Sequence, residues 1–304
     1  YNYLFMMQET ISFKKQRELG AILGDTFKFI RLQWKPLFSL IFRIAGPALL
    51  LLVLAYVFYM QTMFGSLGAA SVNPLFYQSS EFGASLVIAL ILIIISGIVY
   101  YGLMYGTVMH AIKSYITNNG IINKKEVIAG VKQNFWSLMG TSFLTGLITI
   151  VGFLFCIAPG VYFATVFAST YAILVFEKRT VTDAISYSFE LIKGEWWITF
   201  ATLLVTVILY YIIMMIAQIP QYIYFFIKMF TIAETIGGDP SSMFDWGYIA
   251  LNSIAMIAQY LLYMIVVIAT GFIYFNLNEK KNFTGTIETI ESIGTEQLDK
   301  GEGL

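Results

Sequence analysis

Long uncharged stretches alternate with short charged segments along this chain. Five stretches contain no Asp, Glu, Lys or Arg and consist mostly of apolar residues: 44–80, 82–109, 133–176, 196–227 and 246–278. A helix needs about 20 mostly apolar residues to cross the hydrocarbon core of a bilayer. Each stretch is therefore long enough to hold at least one transmembrane helix.

The stretch 133–176 is long enough for two helices. Ala158, Pro159 and Gly160 divide it, and Pro with Gly favours a tight turn between helices, so Pro159 and Gly160 are predicted to form a structural turn. The pattern thus predicts an all-α polytopic membrane bundle of six transmembrane helices. The predicted spans lie near 37–62, 85–110, 136–157, 161–176, 196–218 and 247–277.

The basic residues fall almost entirely on one side of this topology. Seventeen of the 18 Lys and Arg residues belong to one side: sixteen lie in the N-terminal arm, the second and fourth connections and the tail, and Arg43 lies just inside the first span. Lys228 is the exception. The positive-inside rule then predicts that both termini are cytoplasmic. The first 36 residues lack the features of a cleavable signal peptide, so the first span is expected to act as the insertion signal.

The segments that lead into the odd-numbered spans resemble one another. Segment 26–34 aligns with 188–196, and 128–135 is a weaker copy. Apolar residues recur at helical spacing in each copy, which predicts an amphipathic helix at the membrane interface. The repeating unit is therefore predicted to be an interfacial helix followed by a transmembrane hairpin.

Local signals mark the ends of these helices. Asn123 with Glu126, and Thr180 with Asp183, each fit a capping box in which side chains satisfy unpaired backbone N–H groups. Gly194 is suited to a left-handed cap at the end of the third helix. The sequence predicts one membrane domain over 1–278, with repeat units near 13–112, 123–178 and 180–278, and an acidic flexible tail over 279–304.

Basic and aromatic side chains at the predicted interface are candidates for contact with lipid headgroups. They are Arg31, Trp34, Lys35, Arg43, His110, Lys132, Lys193, Trp196 and Trp197. Two interpretations of the interfacial helices remain open. Either they are elbow helices that rest on the headgroups, or they form a cytoplasmic collar that docks a protein partner or anionic lipid.

Three segments carry a family resemblance: 158–162, 175–177 and 184–197. Their order is a Pro-Gly turn, a short span, an acidic loop, an Ala-containing amphipathic helix with Ser, and then Lys-Gly and aromatic residues. This order resembles a superfamily of bacterial integral membrane proteins that includes the YciC-like proteins and the membrane domain of some glycerophosphoryl diester phosphodiesterases. The resemblance implies a bacterial inner-membrane protein. It does not imply the phosphodiesterase activity, which needs a soluble domain with several histidines and a carboxylate cluster.

Composition and charge exclude several kinds of chemistry. The chain is 58% hydrophobic and 12% charged, with zero formal net charge, and this balance argues against nucleic acid as a partner. No Asp or Glu is predicted at mid-membrane depth, and Arg43 is placed where its side chain reaches the headgroups. His110 is the chain's single histidine and cannot form a metal site or proton relay alone. The sequence therefore predicts no catalytic residue, cofactor or metal.

Uncharged polar residues leave one question open inside the bundle. Hydroxyl side chains either line a narrow polar seam or bond to helix backbones and allow close packing. These side chains are Ser142, Thr145, Thr149, Thr165, Ser169 and Thr170. In the outer connection 219–246, predicted to start along the outer interface, Asp239 and Asp245 are weak candidates for cation binding.

The leading functional hypothesis is a non-enzymatic structural or assembly partner within an envelope complex. Its expected partners are the bilayer, anionic headgroups and other membrane proteins. The alternative is a transporter, channel or flippase for a small or lipidic substrate that moves through the cavity between the hairpins. A lipid-modifying enzyme around Arg43, His110 and Lys113 ranks third, because no acid–base pair is evident.

Overall fold

The computed structural model describes residues 10–64, 80–234, 244–288 and 290, and these residues form helices without any strand. The helices in chain order are α1 (Leu19–Ile44), α2 (Gly46–Phe64), α3 (Ser80–Thr117), α4 (Lys124–Gln133), α5 (Phe135–Phe155), α6 (Ile157–Phe167), α7 (Thr170–Phe176), α8 (Val181–Leu191), α9 (Trp196–Glu234), α10 (Trp246–Leu262) and α11 (Met264–Asn282).

The described residues contain six helical segments long and apolar enough to cross a membrane, which confirms the predicted number. The fourth segment joins α6 to α7, and the sixth joins α10 to α11. By length and composition, the chain is a multi-pass membrane protein.

Helices α3 and α9 are longer than the predicted spans 85–110 and 196–218. They contain 38 and 39 residues. At 1.5 Å per residue these lengths are about 57 and about 58 Å, against a hydrocarbon core of about 30 Å. The last turns of α3 are buried by neighbouring protein, and α9 continues through Pro220 to Glu234. The first part of the predicted outer connection is therefore helical, because the helix continues through Pro220 and does not end before it.

Each predicted interfacial helix ends at a break in helical geometry, after which the chain becomes helical again. Gln33, with φ −118° and ψ 16°, interrupts α1. Asn134 separates α4 from α5, and residues 192–195 separate α8 from α9. Each break directly precedes an aromatic residue: Trp34, Phe135 and Trp196. These matching breaks fit the three predicted repeat units, and the repeat itself remains a prediction.

The predicted helix caps are present, with one difference. Asn123 accepts a hydrogen bond from the backbone N–H of Lys125 and caps α4, and Thr180 caps α8. Gly194 has φ +87°, as a left-handed cap requires. Glu126 does not complete the box at Asn123, because tertiary contacts described below take its carboxylate.

The turn between the third and fourth spans lies at Cys156, earlier than predicted. Cys156 is extended, with φ −173° and ψ 160°, and Pro159 with Gly160 belongs to the first turn of α6. Proline is tolerated there because the first N–H groups of a helix have no partner within it. A Cβ atom on Gly160 would lie 2.3 Å from Phe153 Cγ. Glycine is thus needed for the close approach of α5 and α6 and not for the turn.

Helix α11 is the central element of the bundle. Every residue from Met264 to Glu279 is buried. Helices α1, α3, α7, α8, α9 and α10 all contact it. A helix surrounded by protein has no outward face for polar groups, so the polar residues at its end need partners from other segments.

The N-terminal arm, residues 10–18, packs over the end of α11. Phe13 is 2% exposed, and its ring stacks on that of Phe272 with 4.5 Å between centroids. The rings of Phe29 and Tyr115 meet Phe13 edge to face. This aromatic cluster fixes the arm against α1, α3 and α11.

Arg17 connects the arm to two helices. Its side chain is fully buried and donates to the carbonyl of Phe13 at 2.6 Å and to the Asp25 carboxylate at 2.8 Å. Its backbone N–H donates to Asn276 Oδ1 at 2.8 Å. Burial lowers the pKa of Arg17, whereas Asp25 opposes this shift. The Asp25 carboxylate thus offsets part of the cost of burying the guanidinium.

The first residues of the predicted flexible tail are folded. Glu279 is buried and accepts hydrogen bonds from the backbone N–H groups of Gly285 at 2.7 Å and Thr286 at 3.0 Å. Lys14 pairs with Glu288. The described start of the predicted tail is thus held against α11 through Glu279, although Thr286, Ile287 and Glu288 are exposed, and the flexible acidic tail remains a prediction. The last part of the tail lies outside the described residues.

Lys228, the exception to the charge asymmetry, has an acidic partner. Its Nζ lies 2.6 Å from Asp245 Oδ2. Asp245 also accepts from the Tyr224 hydroxyl at 2.8 Å and from the Tyr248 N–H at 2.9 Å, which caps α10. These interactions lower the pKa of Asp245 to about 2, and the hydrogen bond from Lys228 contributes most to this shift. Asp245 therefore joins α9 to α10, while the other predicted cation candidate, Asp239, lies outside the described residues.

Substitution Arg17→Gln is expected to destabilise the bundle. Removing one partner of a buried ion pair typically costs about 3 kcal/mol or more, and the substitution also disturbs the arm's hydrogen bonds. Thermal unfolding of the detergent-purified chain measures the effect. Lys15→Gln is the matched control: its side chain is 54% exposed and lies 3.8 Å from the same Asp25, so its expected effect is below about 0.5 kcal/mol. Equal decreases in unfolding temperature for both variants would contradict the role of Arg17 as a buried link between the arm and the helices.

Low pH is expected to remove the contribution of Asp245 to the stability of the folded protein. Its pKa is lower in the folded protein than its ordinary value of 3.8, so the stabilisation is fully present above that value and is lost as pH falls toward 2. The measurement is the difference in unfolding temperature between the wild type and Asp245→Asn from pH 5 to pH 2. The difference is expected to shrink over this interval, and a constant difference would count against the prediction.

Candidate anion-binding site

A polar cavity of about 610 Å³ lies between α3, α4, α5 and α7 and the loop that enters α8. We call it the basic cavity. Its charged and hydrogen-bonding wall residues include His110, Lys113, Glu126, Asn134, Lys178 and Arg179. Three of these side chains are cationic and one is acidic, so the cavity has the charge balance of a site for anions.

Lys113 is held at the wall by the end of α7. Its Nζ donates to the carbonyl oxygen of Val175 at 2.9 Å. An ammonium group has three N–H donors, so donors remain for a ligand in the cavity. The carbonyl fixes the position of the charge without neutralising it.

Arg179 is positioned by two neighbours outside the basic cavity. Its Nε donates to Glu177 Oε2 at 2.7 Å, and its guanidinium lies 3.8 Å from the centroid of the Tyr187 ring. The hydrogen bond to Glu177 raises the pKa of Arg179. A guanidinium has five N–H donors, and the Glu177 contact uses the Nε donor.

Lys178 reaches the cavity from an unusual backbone conformation. Its φ of 54° is in the left-handed region, which a side chain with a Cβ atom disfavours. Such conformations cluster at functional sites, where the surrounding structure maintains them. Lys178 has no hydrogen-bond or ion-pair partner among the described residues. The loop therefore places a second ammonium in the wall that also contains Lys113.

His110 is largely buried in the wall of the basic cavity, and its predicted contact with headgroups remains a prediction. It is 7% exposed, and Asn134 Nδ2 lies 3.1 Å from its Nε2 atom. An amide nitrogen only donates, so Nε2 accepts this hydrogen bond. A Cβ atom on Gly130 would lie 2.4 Å from His110 Nδ1. Helix α4 can therefore cover the imidazole only because residue 130 is glycine.

Glu126 is the acidic wall residue of the basic cavity. It accepts hydrogen bonds from Ser114 Oγ at 2.9 Å and from Asn118 Nδ2 at 2.8 Å. Both donors are neutral; Ser114 lies in the last turn of α3 and Asn118 directly follows that helix, so these contacts hold α4 against the end of α3. This use of the carboxylate explains why the predicted capping box is incomplete.

A second cavity, of about 370 Å³, lies farther along the same helices. We call it the tyrosine cavity, and its wall includes Tyr101, Tyr105, Ser142, Thr145, Gly146, Thr149, Tyr171 and Tyr263. The rings of Tyr105 and Tyr171 stack with 4.3 Å between centroids. The wall thus combines aromatic rings with hydroxyl groups in a membrane-spanning part of the bundle.

Both interpretations of the hydroxyl residues find support. Ser142 donates to the carbonyl of Ile98 at 2.9 Å, and Thr145 donates to that of Thr141 at 2.6 Å. Thr165 likewise bonds to its own helix, and Thr170 bonds to Ser188 at 2.7 Å. Nevertheless, part of the group lines the tyrosine cavity: Ser142, Thr145 and Thr149.

Most predicted headgroup contacts are exposed and lie apart from the basic cavity. The exposed members are Arg31, Trp34, Lys35, Arg43, Lys132, Lys193 and Trp197. Trp196 is half-buried and stacks on Phe200. His110 is the one predicted headgroup contact in the wall of the basic cavity, where it lies with Lys113 of the third-ranked hypothesis. Lipid contact by the exposed residues remains a prediction.

Sequence reasoning missed Lys178 and Arg179 as site residues. In the sequence they form a basic pair directly after a transmembrane segment, and such a pair is typical of the cytoplasmic side of a span. Their convergence with Lys113 depends on the packing of α7 against α3. Among the described residues, no group of three or more His, Cys, Asp or Glu side chains is placed to hold a metal ion.

Comparisons of the chain with models of protein families, with curated proteins and with solved structures find no match. The resemblance to the superfamily of YciC-like proteins therefore remains a prediction. The class defined by the fold is a six-span helical membrane protein, and its candidate site is the basic cavity.

Substitution Gly130→Ala is expected to move the His110 ring, because the added methyl group would overlap the imidazole. Overpacking of this kind costs about 1 to 3 kcal/mol. Since the chain contains a single histidine, NMR of protein labelled with ¹⁵N-histidine reports on this ring alone. Gly140→Ala is the control, because its Cβ atom would meet Val181 at an ordinary 3.6 Å. Unchanged imidazole resonances in Gly130→Ala would refute the predicted contact.

Proposed function

We propose that this chain is a non-enzymatic protein of the bacterial inner membrane that acts as a structural or assembly partner in an envelope complex. The observation that carries the proposal is the complete burial of α11 from Met264 to Glu279. Side chains fill the centre of such a bundle, so it suits a scaffold better than a channel. The charged end, with its interfacial helices, would then supply the binding surface.

The proposed orientation places both termini in the cytoplasm. Its support is the charge asymmetry of the sequence. Lys228, the one exception to this asymmetry, pairs with Asp245 and so joins α9 to α10. The same orientation places the basic cavity on the cytoplasmic side, where anionic headgroups attract basic segments.

The tyrosine cavity favours a second candidate function, a transporter or flippase for a small or lipidic substrate. Such proteins need a cavity in the membrane-spanning region, and Ser142, Thr145 and Thr149 give this cavity polar wall atoms. The assembly role remains the first choice because the central helix α11 is buried from Met264 to Glu279, as in a closed bundle.

The test is affinity purification of the full chain in gentle detergent, followed by identification of the proteins that copurify. The assembly role predicts a reproducible partner whose recovery falls when exposed basic residues of the interfacial helices, Arg31 and Lys132, are changed to Gln. Exposed Lys193→Gln reports on the third interfacial helix in the same way.

Recovery of the chain alone, together with substrate flux in liposomes, would reject the assembly role and support transport. The control is a substitution of an uncharged residue on the predicted outer side of the membrane. Thr62→Ala is suitable because it removes only a hydrogen bond from an exposed hydroxyl to its own helix.

A further inference from the structure

We propose that the basic cavity binds the phosphate monoester group of a small water-soluble ligand. A scaffold requires no ligand in this cavity, so the ligand is an addition to the assembly role. Three features support it: two ammonium groups without ion pairs, the backbone conformation that carries one of them, and a packed layer that closes the cavity toward the middle of the bundle.

Two ammonium groups in the wall of the basic cavity lack a counter-ion. Neither Lys113 nor Lys178 forms an ion pair with a described residue, and their like charges repel one another. Glu126 attracts Lys113, but the hydrogen bonds that Glu126 accepts come from neutral side chains. A bound anion would therefore relieve a repulsion that the wall itself offsets only in part.

A phosphate monoester matches these cations in charge and in hydrogen bonding. It carries about −1.5 to −2 charges at pH 7 and has three acceptor oxygens. Arg179 adds a guanidinium to the wall, and its contact with Glu177 uses the Nε donor and leaves the Nη donors. Arginine and lysine both bind phosphate oxygens by charge-assisted hydrogen bonds. A phosphate diester has less charge and fewer free oxygens, so the monoester is favoured.

The backbone conformation of Lys178 indicates a function for its side chain. A residue with a Cβ atom disfavours a φ of 54°, and Gly or Asn adopts the left-handed conformation more readily. The Lys178 side chain makes no hydrogen bond within the described ranges of the chain. An unfavourable backbone conformation at a residue without an internal partner is typical of a ligand site.

The basic cavity is closed toward the middle of the bundle. On α3, α5 and α7, fully buried residues lie between its wall and that of the tyrosine cavity. They are Val108, Leu138, Thr141 and Ala172. Lys178 and Arg179, in contrast, are exposed in the loop after α7. A ligand therefore reaches the cations from this loop, and acyl chains have no path through the packed layer, which favours a water-soluble ligand.

The size of the basic cavity leaves room for an organic group. Its volume of about 610 Å³ lies within the range of about 300–1,000 Å³ for small-molecule sites. Gln133 and Ser137 also line it, and their side chains have no hydrogen-bond partner in the part of the chain that the structure describes. These groups can bind hydroxyl or carbonyl oxygens, so a polar phosphate ester is favoured over inorganic phosphate.

A neighbouring cavity of about 590 Å³ shares Lys113 and Arg179 with the basic cavity. Its wall also contains Lys14, Glu177 and Glu288. Lys14 pairs with Glu288, and Arg179 pairs with Glu177. Carboxylates of the protein thus already serve the cations on that side. The anion is placed in the basic cavity, where the wall lacks these two carboxylates.

Isothermal titration calorimetry of the purified full chain in an uncharged detergent tests the proposal. Glycerol phosphate is the soluble monoester probe, and glycerophosphoglycerol is the soluble diester reference. Short-chain phosphatidic acid carries the same monoester group on a lipid. These three titrants distinguish a soluble monoester from a diester and from a lipid.

Lys178→Asn is the main variant, because asparagine tolerates the left-handed conformation and removes the cation. Its unfolding temperature without ligand is expected to equal or exceed that of the wild type, which separates a role in ligand binding from a role in folding. Lys15→Asn is the matched control, since it removes one exposed cation outside the wall of the basic cavity. Lys113→Gln removes the other ammonium group.

Glycerol phosphate is expected to bind equally to the wild type and Lys15→Asn, and at least about tenfold more weakly to Lys178→Asn and Lys113→Gln. The diester should bind the wild type more weakly than the monoester does. Absence of binding to the wild type, or equal binding by all variants, would overturn the proposal.

Two further outcomes would also reject the proposed ligand. Equal affinity for the diester would reject the monoester, and phosphatidic acid that binds at least about tenfold more tightly than glycerol phosphate would assign the cavity to a lipid. The titrations contain no partner protein, so their result is independent of the assembly role.

Discussion

The structure depends on one helix that has no exposed face. Because α11 is buried from Met264 to Glu279, its polar residues must find hydrogen-bond partners inside the protein. Arg17 supplies an N–H group to Asn276, and the residues after α11 supply N–H groups to Glu279. The arm and the start of the tail, which flank the membrane bundle in sequence, are thereby part of its core.

Close helix contacts then determine where cavities form. Gly106 allows Leu138 of α5 to approach α3, and Gly130 allows α4 to cover His110. Leu138 consequently lies in the layer between the basic and tyrosine cavities, and His110 forms part of a wall. Small residues thus position the candidate site without contacting a ligand themselves.

The charge pattern has two physical meanings that the structure separates. Exposed cations such as Arg31 and Lys193 fit the role of topology signals and headgroup contacts. Arg17 is instead a buried core residue, Lys228 pairs with Asp245, and Lys113 faces a cavity. Sequence position predicts the side of the membrane for all of them, whereas the role of each depends on neighbours that are distant in the chain.

The sequence by itself determined the helical class, the number of spans and the caps at Asn123 and Thr180, because these features depend on local apolarity and local hydrogen bonds. Tertiary structure decided the rest. It moved the predicted turn from Pro159 to Cys156, buried His110 and brought Lys178 to Lys113. These outcomes depend on which helices touch, and contact between distant helices is set by the packing of complementary shapes, which helical periodicity in a single segment does not encode.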